Sequence, residues 1–151
     1  MRRTRKNEMG SEMMDDAESK GQSRWVSAPP GRWWIAIGAG LASAGVMVKA
    51  RLAHLPGGSE LPDARLAALA AASDMHLYHA LAIIAVGLAL AACGTRRLWH
   101  GAAGAFLIGI LLFCVGIYAD AAAMGLGFIN PMGGILFMGG WIALAVGAIW
   151  R

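Results

Sequence analysis

The sequence predicts an all-α protein, a four-helix transmembrane bundle behind a disordered N-terminal tail. Three observations predict it. Of 151 residues, 58% are apolar and only 15% charged, whereas a soluble domain carries roughly a quarter charged residues and under half apolar ones. Four apolar runs of 18–22 residues follow one another with little polar sequence between them. At 1.5 Å rise per residue each reaches roughly 27–33 Å, the thickness of a bilayer's hydrocarbon core. Small residues also recur at every fourth position inside the runs, the spacing that lets membrane helices approach closely.

Residues 1–32 are a different kind of sequence. They hold seven of the thirteen Lys and Arg and five of the nine acids. Their apolar residues are sparse and aperiodic, so no face can be buried, and a disordered cytoplasmic tail is expected. The stretch is too long and too acidic for the basic start of a cleaved signal peptide.

The membrane domain is expected over 33–151. The first span, 33–50, opens at Trp33 and Trp34 beside Arg32, an interfacial anchor, and closes at Lys49 and Arg51. The second, 76–93, runs from His76 to Cys93. The stretch 62–75 before it, started by Pro62-Asp63, is either an interfacial helix or an outward extension of that span. The third span, 98–119, follows Arg96 and Arg97. The fourth, 130–150, starts at Asn130-Pro131, an expected cap and first helical residue, and ends before Arg151. In lipid the backbone must satisfy its own hydrogen bonds, so each run is helical.

Orientation follows from Lys and Arg near the span ends. Lys20, Arg24, Arg32, Arg96, Arg97 and Arg151 share one side, against Lys49, Arg51 and Arg65 on the other. Six against three places both termini in the cytoplasm of an inner-membrane protein. The stripes expected to pack the bundle are Ala36, Gly40 and Ala44; Ala85, Ala89 and Cys93; Gly101, Ala105 and Gly109; and Gly139, Ala143 and Gly147. Cys93 and Cys114 fall at different depths, so no disulfide is expected.

The polar residues that could carry chemistry are Asp74, His76 and His79 at the outer end of the second span, Tyr118 and Asp120 at that end of the third, and Asn130 opening the fourth. This topology brings them to one membrane face. His76 and His79, three apart, could ligate a metal with an aspartate, or relay protons. Equally, these groups could hydrogen-bond one another to finish helix ends, and Asp74 or Asp120 could pair with Lys49 or Arg51. His79, one turn inside, stands out because an ionisable group in the membrane is costly without a partner.

Several functions are excluded. His79 and His100 lie at opposite ends, so one chain cannot place two axial ligands on a haem. The middles of the spans carry no Asp, Glu, Lys, Arg or His, unlike a proton-coupled exporter. No nucleophile–base set and no phosphate-cradling loop appears, so no enzyme activity and no cofactor or metal is expected. The four net positive charges are not gathered into a groove, and nucleic acid is not an expected partner.

Three stretches resemble one family of small membrane proteins. Tyr78-His79-Ala80-Leu81-Ala82 resembles its histidine-bearing second helix. Leu112-Phe113-Cys114-Val115-Gly116-Ile117-Tyr118 resembles its third-helix Leu-Phe-Ser-Gly-Ser-Leu-Tyr. Asn130-Pro131-Met132-Gly133-Gly134, with Phe137 and Gly140-Trp141, resembles its Thr-Pro-Ile-Gly-Gly and Ala-Gly-Trp signature, in which Pro131, Gly133 and Gly134 form the signature loop. The family is domain-of-unknown-function family 423, with the transmembrane-protein-256-like proteins. The resemblance covers about residues 34–151, implies a four-span inner-membrane protein and supplies no activity. The chain departs from the pattern in Gly45-Val46-Met47-Val48-Lys49-Ala50, which lacks the family's first-helix His, in Cys114-Val115-Gly116 for Ser-Gly-Ser, and in Asn130 for Thr.

The expected function is that of a non-enzymatic accessory or interaction subunit whose partners are the lipid bilayer and other membrane proteins or a second copy. The alternative is a bundle that binds or transports a small molecule, proton or metal ion through His76, His79, Tyr118, Asp120 and Asn130.

Overall fold

The computed structural model describes residues 29–150, apart from 55–61, 123 and 126. The tail expected over 1–32 lies, up to residue 28, outside the described residues. Every regular element among the described residues is helical, and four helical stretches are long and apolar enough to cross a membrane. The all-α class is as expected.

Helix α1 spans Arg32–Ala53. Gly31 precedes it at φ 89° and packs onto the Gly87 carbonyl, a conformation and a closeness that favour glycine. The Arg32 guanidinium lies 4.8 Å from the Trp33 ring centroid. At the far end the His54 amide donates to the Ala50 and Arg51 carbonyls.

Helix α2 spans Asp63–Cys93 without a break. Residues 62–75 are thus not a separate interfacial helix: they lengthen the second helix outward. Asp63 in its first turn suits the positive end of the helix dipole. Its 31 residues reach about 46 Å, well beyond a ~30 Å hydrocarbon core. Gly94, at φ 84°, ends it by donating to the Leu90 carbonyl.

The third span is α3 (Arg97–Gly109), a π-helical turn (Ile110–Cys114) and α4 (Val115–Ala121). In that turn the Val115 amide reaches the Ile110 carbonyl, five residues back, which inserts one residue into the helical register. A 3₁₀ turn, Gly127–Ile129, leads into α5 (Asn130–Ile149).

Each helix packs chiefly on its neighbours in the chain: α1 on α2, α2 on the third span, and the third span on α5. The core runs from Ala80, Ile83, Val86 and Leu90 of α2 through Trp99, Phe106, Ile110 and Cys114 to Phe137 of α5. Cys114 is fully buried and Cys93 exposed, and neither is paired.

Small residues do set the close approaches, yet mostly from other positions than the expected stripes. Gly38 and Gly45 seat α1 on α2, where added Cβ atoms would meet Ile84 and Leu77. Ala36, Gly40 and Ala44 point outward, and a Cβ at Gly40 would meet nothing within 4 Å. Likewise Gly101 and Gly139 face open space, whereas Gly109 and Gly147 are in contact. In the second span Ala85 and Cys93 are exposed. Four-residue spacing selects a helix face without revealing which face is turned inward.

The α5 contacts recur instead at intervals of seven: Gly133, Gly140 and Gly147 lie against Phe113, Phe106 and Trp99 of the antiparallel third span. Seven residues return a helix to nearly the same face, so one aromatic row seats in one glycine row. Between them Phe137 of α5 fills the notch at Gly109.

Candidate functional site

The two ends of the bundle differ. One end collects Asp63, Asp74 and Asp120 with Lys49, Arg51 and Arg65. The other carries Arg32, Arg96 and Arg97, with Trp33, Trp34, Trp99, His100 and Trp150. The polar residues singled out from the sequence do belong to the Asp74 end, but they form separate groups rather than one cluster.

The first group is His79. It is buried on the inner face of α2, where Ala80 and Ile83 continue the same face into the core. Its ring stacks on Phe137 at 3.6 Å between centroids and 11° between planes, with Phe106 5.5 Å away. Nδ1 lies 2.8 Å from the Met75 carbonyl, which requires the N–H on that nitrogen, and Nε2 then accepts from Trp141 Nε1–H at 3.3 Å. Both nitrogens of a neutral imidazole are therefore occupied, and none is left for a metal. The effect is to bind α2 to α5 through an aromatic box.

His76 forms the second group. Its Nδ1 lies 3.5 Å from the Tyr118 hydroxyl, at the limit of hydrogen bonding, and its ring also faces the Leu41 backbone. Nε2 is buried without a hydrogen-bond partner. His76 thus looks toward α1 and α4, and His79 toward α5. The three-residue spacing does not make them converge, and among the described residues no group of three or more His, Cys, Asp and Glu could hold a metal ion.

Asn130 and its signature make the third group. The helix-capping role expected of Asn130 is not what forms: Ile129 occupies the cap position, no side chain caps the helix, and Asn130 is its first residue. Pro131 follows, where its missing N–H costs nothing. The Asn130 Oδ1 is instead turned inward onto Gly116, buried and without a hydrogen-bond donor. A Cβ at Gly133 would lie 2.5 Å from the Phe113 amide nitrogen, so this glycine lets α5 cross the π-helical turn at backbone distance. Gly134 has only ordinary contact, with Phe113 Cδ2 at 4.0 Å. Asp120 lies apart from these, beside Gly127 in the turn before α5.

Asp74 pairs with Lys49, joining the end of α1 to α2. At the opposite end Trp34 Nε1–H donates to His100 Nδ1 at 2.8 Å. Arg96 donates through Nη1 to the carbonyls of Gly147 (2.9 Å) and Trp150 (3.1 Å), and its guanidinium lies 4.7 Å from the Trp99 ring centroid. Sequence reasoning named Arg96 only for topology and Trp141 only for its signature, gave neither a contact, and did not join Gly133, Gly140 and Gly147 into one row. A seven-residue comparison of the third and fourth spans would have found the row, but nothing in the sequence marks Trp141 as the donor to His79.

The model of a family described as "Protein of unknown function (DUF423)" matches residues 48–134. A UPF0382 membrane protein of Haemophilus influenzae is 39% identical over 77 residues, which cover 50% of this chain and 60% of that protein. The chain thus matches about three-fifths of this relative's length. No solved structure matches.

Proposed function

From the premise that the chain belongs to the DUF423 family of membrane proteins, we propose that it is a non-enzymatic interaction subunit of the inner membrane, with both termini in the cytoplasm. The observation that carries the reading is the outward face of α1. Only 11% of the apolar window of α1 is buried, against 44% for α2. The exposed face is built of small residues, Ala36, Gly40, Ala44 and Ser43, beside a shallow groove of about 620 Å³ lined by Ala39, Ala42, Ser43, Val46, Met47 and Ile84. Against lipid alone small residues offer no advantage, but against another helix they allow backbone contact. The six-to-three distribution of Lys and Arg supports the orientation.

The test is Gly40→Leu, whose side chain enters open space and should leave the fold intact. The expected result is unchanged thermal unfolding in detergent with loss of self-association, or of a membrane partner that co-purifies with the wild type. Wild-type protein that runs as a bare monomer in mild detergent and in nanodiscs would overturn the reading. A reporter fused after Arg151 that is active outside the cytoplasm would overturn the orientation.

A second reading, binding or passage of a small polar solute or proton at the Asp74 end, has one observation in its favour. His76 Nε2 and Asn130 Oδ1 are buried polar atoms without partners, and such atoms are ordinarily satisfied. Solute or proton flux in vesicles that falls on replacing His76→Ala or Asn130→Ala, and not Gly40→Leu, would favour this reading over the first.

A further inference from the structure

Among the described residues, the three carboxylates all stand at the Asp74 end. Among those residues, the Arg96 end holds Arg32, Arg96 and Arg97 with no acid beside them. There a cleft of about 590 Å³ opens between the start of α3 and the end of α5, lined by Thr95, Arg96, Arg97, Leu98, Gly147 and Trp150. Trp33, Trp34, Trp99 and Trp150 mark this end as the level of the membrane interface.

The cleft is built for an anion. Arg96 is held in place by its two carbonyl acceptors and by the Trp99 ring, and its two hydrogen bonds use only Nη1. A guanidinium carries five N–H donors, so Nε and Nη2 keep donors for a further acceptor. Arg97 is exposed on the same rim, with no acceptor for its guanidinium among the described residues. Helix α3 begins at Arg97 without a side-chain cap, so the amides of its first turn add donors and a positive dipole end. Leu98, 46% exposed, supplies an apolar wall below the charges.

We propose that this cleft binds the phosphodiester headgroup of an anionic phospholipid. Arg96 would hold the phosphate from a fixed position, and Arg97 would supply the second charge. The depth of the cleft favours a lipid: headgroups are concentrated where these tryptophans lie, and the acyl chains can follow Leu98 into the apolar layer. A basic residue near a membrane surface contributes about 1 kcal/mol toward anionic lipid, or roughly fivefold in affinity.

Native mass spectrometry of the full chain in a zwitterionic detergent tests this, with titration of phosphatidylglycerol, phosphatidylcholine or inorganic phosphate. Phosphatidylglycerol should be retained and phosphatidylcholine not. Arg97→Ala and Arg97→Gln should each weaken retention about fivefold, and Arg65→Ala, at the other end, should not. Equal retention of both lipids, or no change in either Arg97 variant, would overturn the proposal. Displacement of phosphatidylglycerol by equimolar inorganic phosphate would assign the cleft to a soluble anion and overturn it too.

Discussion

A Cβ atom on Gly140 would lie 2.6 Å from Cε1 of Phe106. The Phe106 ring, fully buried, occupies the space that any other residue at 140 would need. It is itself held by His79 at 5.5 Å and Trp141 at 5.0 Å between centroids, so it has little room to yield. Helices in lipid gain no hydrophobic drive toward one another and depend on such interdigitation.

Gly140→Ala should therefore destabilise the bundle, by about 1–3 kcal/mol for an overpacked contact, despite the better helix propensity of alanine. Gly139→Ala is the paired control, because a Cβ there meets nothing within 4 Å. Thermal unfolding in detergent should show a lower midpoint for the first variant and an unchanged or higher one for the second. Equal midpoints would refute the ring-in-notch packing.

The contrast between Gly139 and Gly140 also marks how far the sequence can be read. The helices are legible because run length and composition are set by the bilayer, a constraint acting on each segment alone. Which glycine faces inward depends on the neighbouring helix, and a uniformly apolar span has no polar face to orient it. Hence Gly139 and Gly40 look as promising as Gly140 and Gly38. The polar residues are legible as belonging to one end, since height along a helix follows from position. His76 and His79 diverge for a reason the sequence hides: their partners, Tyr118 and Trp141, come from different helices. The continuous α2 was undecidable from composition, since an Ala- and Leu-rich segment suits an interfacial helix as well.

Two departures from the family pattern meet in space. Gly116 and Asn130 are two positions at which the sequence departs from the pattern that it resembles, with Ser and Thr expected there, and the Asn130 Oδ1 is seated on Gly116. The larger residue fills the space that the smaller one leaves. Gly116→Ser alone should be destabilising, by about 1–3 kcal/mol, and Asn130→Thr added to it should recover much of the loss. A double-mutant cycle on unfolding midpoints measures the coupling, and strictly additive effects would deny the contact.

The Lys49–Asp74 pair connects α1 to α2 between side chains 52% and 40% exposed. Exposed ion pairs contribute about 0–1 kcal/mol. Lys49→Ala should accordingly shift the unfolding midpoint little, and the shift should shrink further in high salt. A large loss that persists in salt would mean that the pair is shielded by lipid and holds α1 in place.

His79 can be dissected by separating its shape from its nitrogens. The stack on Phe137 is a matter of shape, whereas the Trp141 and Met75 contacts need ring nitrogens. His79→Phe keeps a flat ring against Phe137 and loses the acceptor for Trp141. The loss should be that of two ordinary hydrogen bonds, to Trp141 and to the Met75 carbonyl, about 1–3 kcal/mol together. His79→Ala removes the ring from a site that is 5% exposed, and the cavity should cost about 2–5 kcal/mol, the range for large core side chains cut to alanine. The expected order of unfolding midpoints is wild type, then His79→Phe, then His79→Ala. Indole emission of Trp141 should change in both variants, because its N–H partner is gone in each. A phenylalanine variant as destabilised as the alanine variant would mean that the nitrogens rather than the stack secure α2 to α5.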